Sequence, residues 1–158
     1  GPFMIRTGRS KERVIYAEGA RLQLGKADML RPGNDVTIVA IGTMVSRALD
    51  AAEALAASGI NARVLNMASV RPLDTEALIS AATETGAIVV AEEHLVHSGL
   101  GAMCAQALAA STQPVPMEFV GVQNRYGESA TWDEVLEIMG LTAEGVEAAA
   151  RKVVSRKR

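Results

Sequence analysis

The strongest constraint on the fold is a set of short apolar runs that lack polar alternation. Asp35 to Gly42, DVTIVAIG, and the run Ile88, Val89 and Val90 read as strands covered on both faces, as in a parallel sheet held between layers of helix. The segment between them obeys a different period. Val45 to Ala57 places Ala48, Ala51, Ala52, Leu55 and Ala56 at helical spacing, and Gly59 stops the helix. Asn61 to Met67 predicts the next strand, so strand, helix and strand follow within about thirty residues as a right-handed parallel crossover.

The remaining chain extends this alternation. Ala68 to Asp74 is a loop directed by Pro72, and Asp74 stands where it can cap a helix over Thr75 to Glu84, with Gly86 as its stop. A helix from Gly101 to Ala110 is followed by Pro114 and Pro116, which bracket entry to a strand over Met117 to Val122. Helices over Thr131 to Met139 and Thr142 to Val154 close the chain, with Gly140 ending the first and Thr142 capping the second. At the other end, Gly1, Pro2 and Phe3 read as a cloning scar before Met4. Met4 to Tyr16 carries Arg6, Arg9, Lys11 and Arg13 and reads as an arm. Ala20 to Leu30 reads as a connector with one short strand, before a turn built from Pro32, Gly33 and Asn34. The expected fold is a three-layer α/β/α domain with a doubly wound, mostly parallel sheet of four or five strands.

Charge and cysteine usage exclude some roles. A net charge of −2 argues against a general nucleic-acid binder, because phosphate affinity is mostly electrostatic. No apolar run approaches the roughly 20 residues a membrane-spanning helix requires. The single Cys104 has no partner within the chain and shares an apolar helical face with Ala102, Ala105 and Leu108. It reads as a buried thiol in a protein of the reducing cytoplasm.

Candidate chemistry concentrates after the central strand. Glu92, Glu93 and His94 follow its expected carboxyl end, where open α/β sheets place their ligand crevices, and Ser98, Gly99 and Gly101 permit a tight turn into the next helix. Carboxylates and imidazole there suit general acid–base work or a metal. Three consecutive side chains cannot all enter one small site, which favours hydrogen bonding to loops or to a partner chain. Gly42, Thr43 and Met44 lack the full three-glycine dinucleotide fingerprint. Arg125 and Tyr126, with Glu128, Ser129 and the nearby Trp132, form either a small local core or a binding face. No nucleophile is paired with a base, and no Cys/His metal spacing occurs. The residues by themselves define an α/β domain of accessory character.

Taken together, the stretches IRTGRSK, GKADMLRPGNDVTIVAIGTMVSRALDAAEALAASGINARVLNMASVRPLD, TGAIVVAEEHLVHSGLGA and NRYGESA resemble the carboxy-terminal domain of the transketolase family, with NRYGESA favouring the split kind made of two shorter chains. The resemblance spans Met4 to Val154. It implies a boundary near residue 34, with residues 4–34 as the end of a pyrimidine domain and linker arm, and residues 35–158 as the carboxy-terminal domain. It also implies a cytoplasmic enzyme of pentose phosphate chemistry that transfers a two-carbon ketol unit between sugar phosphates, assembled as a homodimer or heterotetramer. Thiamine diphosphate and magnesium would bind between the pyrophosphate and pyrimidine domains and not to this domain, so the fragment alone is expected to be inactive. Arg9 aligns with the family arginine that contacts the sugar phosphate, although Arg13 stands where a proline is common. Glu92, Glu93, His94, Arg125 and Tyr126 are the candidate interface residues. Related domains occur in 2-oxoacid dehydrogenase β subunits and deoxyxylulose phosphate synthase, and a non-catalytic interaction module of the same fold is a further alternative.

Overall fold

The computed structural model describes residues 1–5, 8 and 11–157. Five strands, β1 (Asp28–Arg31), β2 (Val36–Ala40), β3 (Ala62–Asn66), β4 (Ile88–Leu95) and β5 (Met117–Val122), form one sheet in the order β1-β3-β2-β4-β5. β2, β3, β4 and β5 are mutually parallel where they pair, whereas β1 runs antiparallel to β3 at one edge. The expected connector therefore contributes an edge strand to the sheet.

Helices α1 (Met44–Ala57), α4 (Trp132–Met139) and α5 (Ala143–Val154) cover one face, and α2 (Thr75–Thr85) and α3 (Leu100–Ala109) cover the other. Strand geometry explains the unbroken apolar runs. Successive side chains point to opposite faces, so Ile38, Ala40, Val89 and Ala91 enter the α1/α5 core while Val39, Ile88 and Val90 enter the α2/α3 core. Each strand residue between two helix layers must be apolar or satisfied. Thr37 is the second case: its hydroxyl lies 3.0 Å from that of Thr85, which also meets the Ala81 carbonyl at 2.8 Å.

Local signals set the element ends. Asp74 accepts the Ala77 amide at 3.1 Å, and Thr142 accepts that of Gly145 at 3.1 Å. Thr131 and Glu134 form a reciprocal capping box. Gly86 and Gly140 end their helices at φ 67° and 71°, in the left-handed region where a side chain is disfavoured.

Two boundaries differ from expectation. β4 does not stop before Glu92 but continues to Leu95, because Leu95 pairs with Val122 and the Val96 amide reaches the Val122 carbonyl at 3.1 Å. The register with β5 slips between Ala91 and Leu95, so the polar triplet lies within an irregular strand end. α3 starts at Leu100.

Cys104 is buried in the α2/α3 core, and burial, aided by the Glu92 carboxylate, pushes its thiol up to about 12. The thiolate is the reactive form. A disulfide exchange reagent at pH 8 should leave the native chain unmodified and label one thiol once it is unfolded in urea. Rapid labelling of the folded chain would contradict this burial.

Candidate functional site at the carboxyl edge of the sheet

The strand order fixes where a site can form. From β2 the chain crosses to β3 on one side, and then to β4 on the other, so the connections diverge at the carboxyl ends of β2 and β4. Such a switch point leaves a crevice that helices do not fill. Here it is a cleft of about 780 Å³ whose walls include Thr43 after β2, Glu93 and His94 on β4, Ser98 before α3, and Trp132 at the start of α4.

Glu92 faces inward from the base of this cleft. Its Oε2 accepts the Leu100 amide at 2.6 Å and its Oε1 accepts the Gly101 amide at 2.7 Å. These are the first amides of α3, which have no partner within the helix and lie at the positive end of its dipole. Three glycines make room. A Cβ at Gly99 would lie 1.9 Å from Glu92 Oε2, one at Gly101 3.1 Å from Oε1, and one at Gly121 3.4 Å from Cγ. Glu92 is only 3% exposed. The expectation that it contacts a partner chain meets a different geometry, in which it anchors α3 and holds the strand end that presents Glu93 and His94.

Glu93 and His94 are exposed. The Thr43 hydroxyl donates to Glu93 Oε2 at 3.5 Å, a long contact across the cleft, and His94 Nδ1 lies 3.3 Å from the Leu95 carbonyl. On α1, Arg47 donates to the Thr43 carbonyl at 2.9 Å and lies 3.6 Å from Glu12. Gly8 and Glu12 line the cleft. Arg9, the candidate phosphate contact, lies outside the described residues.

Arg125 and Tyr126 do not join this site. Both are exposed in the loop after β5, with Arg125 paired to Glu128 and Tyr126 96% exposed. Trp132 separates from that loop, packs on the α1/α5 core and lines the cleft. No sequence signal distinguished its role from that of Tyr126. Sequence reasoning also missed the anchoring of α3, although Gly99 and Gly101 stood out in the turn before it and Gly121 did not. Among the described residues no group of three or more His, Cys, Asp or Glu is placed to hold a metal ion, and no helix is long and apolar enough to cross a membrane.

Fold and site together define a doubly wound α/β domain whose switch-point crevice carries polar residues. The chain belongs to the transketolase carboxy-terminal domain family: the profile described as "Transketolase, C-terminal domain" matches residues 25–146. It is 46% identical over 157 residues to 6-deoxy-6-sulfo-D-fructose transketolase subunit SqwH of Clostridium sp. (strain MSTE9), covering 99% of this chain and 48% of that protein. It is 36% identical over 160 residues to 1-deoxy-D-xylulose-5-phosphate synthase of Heliobacterium modesticaldum, covering 100% of this chain and 25% of that protein. Among solved structures, "Split gene transketolase, inactive beta4 tetramer" superposes with a TM-score of 0.89 at 44% identity, covering 95% of this chain and 48% of that one. The chain thus spans about half the length of the transketolase subunit it matches.

Proposed function

We propose that this chain is the carboxy-terminal part of a split, thiamine-diphosphate-dependent transketolase, a cytoplasmic enzyme that moves a two-carbon ketol unit between sugar phosphates of the pentose phosphate type. The observation that carries the reading is similarity over 99% of this chain to a transketolase subunit at 46% identity, above the 36% to the synthase. Its partners would be the pyrimidine and pyrophosphate portions of the same enzyme, in a homodimer or heterotetramer, with residues 4–34 ending the pyrimidine portion.

The exposed apolar side chains support such a partner. Met4, Ile5, Val14, Leu22, Leu24 and Met29 all lie exposed in the arm, the connector and edge strand β1. A contiguous segment with so many uncovered apolar groups fits a surface that another domain buries. Glu93, His94, Arg125 and Tyr126 would serve the contacts between chains, and Glu92 would hold the first two in place. Arg9 would contact the substrate phosphate through its guanidinium fork.

The cleft of this chain does not fit thiamine diphosphate. Among the described residues no Lys or Arg lines it, and the carboxylates of Glu12 and Glu93 do. In this reading the cofactor and magnesium would bind in the rest of the enzyme, and this domain would contribute assembly and the placement of Arg9.

The test is reconstitution of the complete enzyme, with this sequence joined to its pyrimidine half and combined with the pyrophosphate subunit. Ketol transfer from a ketose phosphate to an aldose phosphate is expected with thiamine diphosphate and magnesium, while the 158-residue chain alone gives none. Arg9→Ala should raise KM for both sugar phosphates by about tenfold or more, the scale of a lost charge-assisted contact. Transfer by the isolated chain, or pyruvate-dependent condensation in place of ketol transfer by the complete enzyme, would overturn the reading.

A further inference from the structure

Taking Arg9 as the contact to the substrate phosphate, as proposed for the complete enzyme, we infer that Arg47 and Asp50 on α1 and the Tyr16 hydroxyl are positioning residues for that contact. They fix residues 12–16 on the domain, and so set the position from which Arg9, three residues before Glu12, reaches the phosphate. Residues 12–16 form no helix or strand, so their side chains must hold them. Arg13 donates to Asp50 Oδ1 at 2.7 Å, and Glu12 lies 3.6 Å from Arg47, whose guanidinium also donates to the Thr43 carbonyl at 2.9 Å. Ile15 packs against the α1/α5 core. The Tyr16 hydroxyl donates to Asp28 Oδ2 at 3.0 Å and accepts from Asn66 Nδ2 at 2.7 Å, bridging two residues that pair across β1 and β3.

The order of charges sets the register of this segment. Glu12 and Arg13 are adjacent and of opposite sign, and they meet Arg47 and Asp50, also of opposite sign and one helical turn apart on the same face of α1. A slip of one residue that brought Arg13 to Arg47 would oppose two cations, and juxtaposed like charges are costly. Half-exposed pairs such as Arg13 with Asp50 add little stability, so what they contribute is position. Tyr16 then pins the end of the segment to the sheet through two hydrogen bonds, which a phenylalanine cannot make.

The experiment uses the assembled enzyme and separates KM from kcat. Asp50→Arg, which sets two arginines face to face, should raise KM for both sugar phosphates by about three- to fivefold while kcat stays within about twofold. Arg13→Asp combined with Asp50→Arg rebuilds the pair with its signs exchanged, and should return KM to within about twofold of the native value. Tyr16→Phe keeps the ring, loses both hydrogen bonds and should raise KM in the same way. In an Arg9→Ala background none of these changes should move KM further, because they act through Arg9. The proposal is overturned by an unchanged KM in Asp50→Arg and Tyr16→Phe, by a fall in kcat without a rise in KM, by an exchanged pair that fails to restore KM, or by full additivity with Arg9→Ala. If Arg9→Ala itself leaves KM unchanged, the role of Arg9 fails and that of its positioning residues falls with it. If Arg9→Ala raises KM and the other variants do not, the positioning role alone fails.

Discussion

Glu92→Ala is expected to destabilise the chain by about 3 kcal/mol, since each hydrogen bond to a charged group contributes roughly 1.5–3 kcal/mol and two backbone amides lose theirs together. The freed amides are those of Leu100 and Gly101, both buried, so water has little access to replace the carboxylate. Urea unfolding measures the effect. With a slope of about 2 kcal/mol/M, the midpoint should fall by roughly 1.5 M with the slope unchanged. Glu92→Gln retains one acceptor but turns an NH₂ toward the other amide, and should recover only part of the loss.

Gly99→Ala provides an independent test of the same geometry. The added Cβ would lie 1.9 Å from Glu92 Oε2 and must displace the carboxylate from its amides. Gly99 has φ −100°, a backbone angle open to alanine, so the penalty arises from the contact and not from strain. In a Glu92→Ala background the same change should therefore cost little, a non-additivity that marks residues sharing one interaction. Full additivity of the two substitutions, or a change below about 0.5 kcal/mol for Glu92→Ala, would show that the carboxylate does not hold the helix.

Asp74→Ala is the second large effect, at about 2–3 kcal/mol, because one side chain serves two purposes. Its Oδ1 caps α2 through the Ala77 amide at 3.1 Å, and its Oδ2 accepts the Ala27 amide at 3.0 Å, binding the connector to the domain. A helix cap contributes about 1 kcal/mol, and the second charge-assisted bond about as much again or more. Next to it the Ser69 hydroxyl accepts the Gly25 amide at 2.9 Å, so loss of Asp74 should also loosen residues 25–31. Hydrogen exchange at Ala27 and in β1 would record that directly.

The same residue gives the stability a pH dependence. Burial raises the Asp74 carboxyl, but the amides of Ala27 and Ala77 and the ammonium of Lys26 together outweigh it, and the group lies below its ordinary 3.8. A depressed carboxyl binds its proton more weakly when folded than when unfolded. Its stabilisation is therefore complete above the unfolded value and fades as pH falls through the folded one. Acid unfolding curves of the native chain and Asp74→Ala should converge at low pH and separate above about pH 4. Parallel curves throughout would remove Asp74 from the acid response.

Much of the architecture was legible in the sequence because it depends on local rules. The strand at Met117 to Val122 has the bounds expected from its flanking prolines, and the caps at Asp74 and Thr142 form as residue type dictates. Gly86 and Gly140 stop their helices for a steric reason that one residue contains. The apolar runs foretold burial on both faces, and the two cores on opposite sides of β2 and β4 bear this out.

The site was less legible, for a physical reason. Glu92, Glu93 and His94 are adjacent in the sequence, and their residue types alone give them similar prospects. What separates them is packing: the alternation that sends Val90 to the α2/α3 side sends Glu92 there too, and the Leu100 and Gly101 amides and the space left by Gly99, Gly101 and Gly121 receive its carboxylate only once β4, α3 and β5 pack. The parting of Trp132 from Tyr126 has the same origin, since one lies on the α1/α5 core and the other in the exposed loop after β5. By itself the sequence determined the alternation of strands and helices, their punctuation and the enclosed sheet, because periodicity and capping act over a few residues. Only the tertiary structure decided which acid becomes an anchor and which faces the cleft, because the amides and glycines that receive Glu92 are brought to it only when β4, α3 and β5 pack.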